Sequence, residues 1–142
     1  MIENKTFLDT NILVYSHDIS AGHKHSIACG IIRDLWENRL GVISTQVLQE
    51  FFITVTKKIS SPLDKKIAKE IVRDLMEWDV VINDKESILD SIDIHSKYKY
   101  SFWDSMIIQA AARGGAKILF SEDMSDSRIV NGVKIINPFV GA

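Results

Sequence analysis

The chain is poor in the residues that staple or punctuate a protein. A single cysteine, Cys29, excludes an internal disulfide framework and fits a reducing compartment. Two prolines, Pro62 and Pro138, and seven glycines leave little chain for linkers, and no internal repeat or low-complexity tract is visible. No run approaches the ~18 consecutive apolar residues that a membrane-spanning helix needs, so no membrane partner is expected. The opening Met1–Lys5 is polar, with no apolar segment behind a basic start; no secretory leader is expected, and the cytoplasm is the expected location. An excess of one charge is missing as well. Seventeen Lys+Arg face nineteen Asp+Glu, a net charge of −2, which argues against a broadly basic surface that coats nucleic acid. A nucleic-acid enzyme stays open, because distribution matters more than the sum. No Gly-x-x-x-x-Gly-Lys or Gly-x-Gly-x-x-Gly loop is present, so nucleotide-binding enzymes of those types are unsupported.

What the chain does contain is a globular balance, with 46% hydrophobic and 25% charged residues in a length that suits one domain over residues 1–142. Short apolar runs alternate with amphipathic stretches, which predicts an α/β fold. Strands are expected at Thr6–Leu8, Val42-Ile43, Val80–Ile82, Ile118–Phe120 and Val133–Ile136. Helices are expected at His23–Asn38, from Thr45 to about Lys58 behind a Ser44 cap, from Ser61-Pro62 to about Trp78, from Asp84 to about Lys97, and from Ser101 to the breaker Gly114-Gly115. On the third of these the apolar side reads as Ile67, Ile71, Leu75 and Trp78. Strands separated by helices imply parallel pairing with helices on both faces. In such sheets ligands sit beyond the carboxyl ends of the strands.

That rule singles out acids. Asp9 follows the first strand, Glu122 and Asp123 follow the fourth, and Asp104 lies in the first turn of the helix that feeds it. Glu50 sits mid-helix after the second strand, roughly 130° from the centre of the stripe Val47, Leu48, Phe51, Phe52, Val55 and Ile59; the wheel alone predicts it exposed. Each acid has a bland alternative. Asp9 can be a turn residue, Ser101 with Asp104 a capping box, and Glu122 and Asp123 solvated loop acids. Taken together, carboxylates converging at one end of a parallel sheet repel one another, and a hard divalent cation, Mg²⁺ or Mn²⁺, relieves the repulsion. His23-Lys24-His25 lacks the cysteine or acid partners of a zinc site and reads as a surface helix start. Cys29 reads as a small core residue.

Phe7-Leu8-Asp9-Thr10-Asn11-Ile12-Leu13-Val14-Tyr15 resembles the opening motif of PIN-domain ribonucleases. The resemblance continues through Ser44–Phe51, Phe102–Ile107, Leu119–Asp123 and the tail Gly132–Phe139, in order along nearly the whole chain. The small size resembles a VapC-type toxin of a toxin–antitoxin pair. The resemblance implies a three-layer PIN-like fold with a five-stranded parallel sheet and a metal-dependent endoribonuclease activity. It implies Asp9, Glu50, Asp104 and Asp123 as the catalytic acids, with Glu122 and Asp126 competing for the fourth place. Asp9 and Asp104 would hold the metal directly, while Thr10, Asn11 and Ser121 would orient the acids. A homodimer and a cognate antitoxin are the implied partners. Lys97-Tyr98-Lys99-Tyr100 interleaves bases with aromatics just before Asp104 and is the candidate contact to RNA. Lys57, Lys58, Lys65, Lys66, Lys69 and Arg73 cluster around Ser61-Pro62, and a solvated helix face is their default reading. Phe51, Phe52 and Trp36 are candidates for partner contacts, with core packing the commoner fate of such residues. Rivals at this point are a housekeeping PIN nuclease without an antitoxin, a receiver-like Mg²⁺-binding signalling domain, and a domain that keeps the acids but serves mainly as a binding partner. The second lacks the adjacent acidic pair after the first strand and the strand-end lysine it needs.

Overall fold

A computed structural model describes residues 2–124 and 128–140. Six strands form one sheet: β1 (Thr6–Leu8), β2 (Gly41–Ser44), β3 (Asp79–Val81), β4 (Ile118–Phe120), β5 (Ile129–Val130) and β6 (Val133–Ile136). Their order is β3-β2-β1-β4-β6-β5, with every pair parallel except the antiparallel β5–β6. The expected parallel strands are thus all present, and a short sixth is added at the edge. Its cause is a tight turn at Asn131-Gly132, where both residues have positive φ (50° and 81°), as the hairpin turns of twisted strands require.

Among the described residues six α-helices flank the sheet: α1 (Thr10–Tyr15), α2 (His23–Asn38), α3 (Thr45–Lys57), α4 (Lys65–Leu75), α5 (Lys85–Tyr98) and α6 (Phe102–Arg113). Local chemistry sets four of their six starts. Asp9 caps α1, the Ser44 hydroxyl accepts from the Val47 amide, Asp84 and Ser87 form a reciprocal capping box on α5, and the Ser101 hydroxyl caps α6 through the Asp104 amide. α6 lies against β2, β3, β4 and β6 with α5 packed on it, while α1 contacts α2 and α3, and α3 contacts α4. The core between these layers includes Phe7, Leu8, Ile12, Val42, Ile43, Val47, Phe51, Ile108, Leu119 and Ile135.

The helix expected to open at Ser61-Pro62 starts later. The Leu63 amide donates to the Val55 carbonyl at 2.8 Å, which keeps residues 59–64 alongside the end of α3, and Asp64 becomes the N-cap of α4. Its buried side is accordingly Ala68 and Leu75, while Ile67 points out at 52% exposure.

The topology positions the site. The chain lays β1 in the middle, builds outward through β2 and β3, then crosses back to place β4 on the other side of β1. Beyond the carboxyl ends of β1 and β4, the connections leave in opposite directions and open a crevice.

Candidate active site

Asp9 leaves β1 at this switch point. Its amide donates to the Phe120 carbonyl at 3.0 Å, fixing it beside the end of β4. The Ser121 hydroxyl donates to Asp9 Oδ2 and the Thr10 amide to Oδ1, both at 2.8 Å. Burial pushes the Asp9 carboxyl up to about 6 against these two bonds, and the negative charges of Asp104 and Glu50 push the same way.

Asp104 stands half-buried in the first turn of α6. Burial raises its pKa; the Ser101 hydroxyl opposes, and the charges of Asp123 and Glu50 add to the rise. Glu50 on α3 is also half-buried, contrary to the wheel. Thr10 Oγ1 donates to its Oε1 at 2.6 Å and Gln46 Nε2 to its Oε2 at 3.4 Å. A wheel scores hydrophobicity only, and this polar side of α3 is closed by α1 rather than by water. Asp123 is exposed and accepts from Asn11 Nδ2 at 2.8 Å.

These four acids, with Thr10, Asn11, Ile53, Thr54 and Lys58, line one open cleft of about 390 Å³. Glu122 faces away, accepting from the Tyr15 hydroxyl at 2.5 Å and pairing with Lys24. Burial pushes the Glu122 carboxyl up, but Lys24 and Tyr15 outweigh it and hold it below its ordinary value. Asp126 lies outside the described residues. Sequence reading missed the cleft wall of Thr54 and Lys58; the signal was their spacing, four and eight residues after Glu50 on one helix face.

The residues expected to touch RNA lie outside this cleft. Tyr100 is 8% exposed with Arg128 over its ring at 5.2 Å, so the ring is closed to a base. Tyr98 is half-buried between Lys97 and Arg128. Of the apolar candidates for partner contacts, Phe51 is core, Phe52 half-buried and Trp36 exposed.

Whether the cleft suits a divalent cation is a question of donor chemistry. Its ionisable donors are all carboxylates, neighbouring charges help to raise the Asp9 and Asp104 carboxyls, and a hard dication relieves that repulsion. Among the described residues no three acid, histidine or cysteine side chains already stand as a ready ligand cluster, so binding would draw the acids inward. The donor set fits.

A family model for the PIN domain matches residues 6–129. The chain belongs to the PIN domain family. Three solved structures share the fold of this PIN domain. One is the sarcin–ricin-loop-cleaving toxin VapC20 of Mycobacterium tuberculosis, with TM-score 0.63, 17% identity, and 83% of this chain and 91% of that one covered. Another is a toxin–antitoxin complex from Klebsiella pneumoniae, with TM-score 0.66, 17% identity, and 94% and 98% covered. A third is FitAB bound to an IR36 DNA fragment, with TM-score 0.68, 15% identity, and 94% of each chain covered. No curated protein matches the sequence significantly.

Proposed function

We propose that this PIN domain is a divalent-metal-dependent endoribonuclease and the toxin of a VapBC-type toxin–antitoxin pair, working in the cytoplasm. The observation that carries the reading is the convergence of Asp9, Glu50, Asp104 and Asp123, from four separate parts of the chain, on one cleft at the switch point of a parallel sheet. Asp9 and Asp104 would hold Mg²⁺ or Mn²⁺ directly, and Glu50 and Asp123 would bind through water or hold a second ion. Such an ion, when bound, supplies a nucleophile near neutral pH and steadies charge on the phosphate.

The chain's own residues do the rest. Ser121 and the Thr10 amide bond both oxygens of Asp9, Thr10 Oγ1 bonds Glu50, and Asn11 bonds Asp123, so these three acids are each held by a neighbour while an ion would draw them together. Lys58, the cation on the cleft wall, is placed to meet a substrate phosphate, while Lys97, Tyr98 and Lys99 would contact RNA farther from the acids.

Fold likeness to a toxin and to a toxin–antitoxin complex supports an antitoxin partner. An open groove of about 780 Å³ between α3 and α4, floored by Leu48, Phe52, Ile53 and Val72 and edged by lysines, offers it an apolar surface. A homodimer is part of the same proposal. The test is RNA cleavage by the purified chain: Mg²⁺ or Mn²⁺ should support it, a chelator stop it, and Asp104→Asn lower it by orders of magnitude with the circular dichroism spectrum unchanged. Cleavage by Asp104→Asn at the wild-type rate refutes the assignment.

A further inference from the structure

Glu122, next to Asp123, is held by side chains from two other elements. The Tyr15 hydroxyl at the end of α1 donates to Oε1 at 2.5 Å, and Lys24 in the first turn of α2 pairs with Oε2. The Lys24 ammonium lies 5.3 Å from the Tyr15 ring centre and 5.7 Å from that of Phe139, and the two rings meet edge to face at 5.4 Å. A carboxylate held by a cation, a phenol and two aromatic faces is well fixed for a side chain only 18% exposed.

Asp123 has much less of its own. It is exposed, lies in a bend without regular secondary structure, and is tied through its side chain to Asn11 alone among the described residues. An exposed carboxylate on irregular backbone stays aimed only where that backbone is pinned. Here the pins bracket it: Glu122 on one side, the buried Met124 on the other.

We propose that Tyr15, Glu122 and Lys24 form an anchor that positions Asp123 in the acid cleft, so that Tyr15 and Glu122 are positioning residues for the site. The inference rests on the reading of that cleft as a metal-ion site, and its structural half can be tested apart from that reading.

Tyr15→Phe removes one hydroxyl while leaving the ring on Phe139 and Lys24, and Glu122→Ala removes the carboxylate. The Asn11 side-chain amide, followed by ¹H–¹⁵N NMR on the whole chain, reports whether Asp123 still accepts its hydrogen bond. Both variants should move that resonance toward its position in Asp123→Ala. They should also weaken Mn²⁺ binding about tenfold, by calorimetry, as loss of an orienting partner does. The double variant should be no worse than either single one, since both cut the same link. An Asn11 resonance unmoved in Tyr15→Phe and Glu122→Ala overturns the anchor. Absence of Mn²⁺ binding by the wild-type chain overturns the metal reading instead, and the Asn11 resonance then decides the anchor alone.

Discussion

Asp9 carries a cost that the fold tolerates. Its carboxyl is raised from 3.8 to about 6 because burial and neighbouring acids disfavour its charged form. Between those two values the unfolded chain has released a proton that the folded chain keeps. Stability without metal therefore falls as pH rises through that window, and the penalty is complete above pH 6. Asp9→Asn should remove it, raising stability at pH 7.5 by about 3 kcal/mol and giving no advantage below about pH 4. Thermal unfolding of both proteins in a chelator at the two pH values checks this. Added Mg²⁺ should then raise the melting temperature of wild type more than that of the variant. At this scale strand ends and helix starts, which are local signals, pointed to Asp9, Asp104 and the Glu122-Asp123 pair, and the structure places Asp9, Asp104 and Asp123 in one cleft. By its helical wheel alone Glu50 read as solvent-facing, because its partners, Thr10 and the other acids, are distant in the chain; only the family resemblance grouped it with them. The anchor at Glu122 was invisible for the same reason: Tyr15 lies 107 positions away.

Elements were readable wherever caps and periodicity agreed. The expected bounds of α2, α3, α5 and α6 match the observed ones to within a residue or two. Ser61-Pro62 misled because a serine-proline start is a local pattern, and the bond from Leu63 back to Val55 overrode it. β5 escaped notice because two residues show no alternation, although Asn131-Gly132 marked the turn. Element packing also yields a sharp expectation at the end of α6. A Cβ on Gly114 would stand 2.6 Å from Val42 Cγ1 and 2.9 Å from Val81 Cγ2. Both are buried, β-branched strand side chains with little rotamer freedom, so neither can step aside. Gly114→Ala should cost about 1–3 kcal/mol, seen as a lower urea midpoint with an unchanged slope.

Across the whole molecule the net charge is only −2, yet four acids gather in one cleft that, on the proposed function, receives a polyanion. Four carboxylates repel a phosphate unless cations stand nearby, and a bound dication offsets only part of that charge. The chain's own cations are unevenly placed for this. Lys58 lines the cleft, and Lys65, Lys66 and Lys69 edge the groove that shares Ile53 with it. Lys97 lies over the Tyr98 ring, away from the acids. A lysine that meets a phosphate releases condensed counterions from the nucleic acid, and each such contact contributes about 0.7 to the slope of log affinity against log salt for a single strand. Lys58→Ala should therefore flatten that slope by about 0.7 for a single-stranded RNA in Ca²⁺, a hard dication used here to limit cleavage. Lys58→Arg should restore it, because the contact needs charge rather than shape. Alanine at Lys97 and Lys99 should flatten the slope less than Lys58→Ala does. A slope unchanged in Lys58→Ala but flattened in the Lys97 and Lys99 variants would put the RNA path along the α5–α6 junction instead of across the wall of α3.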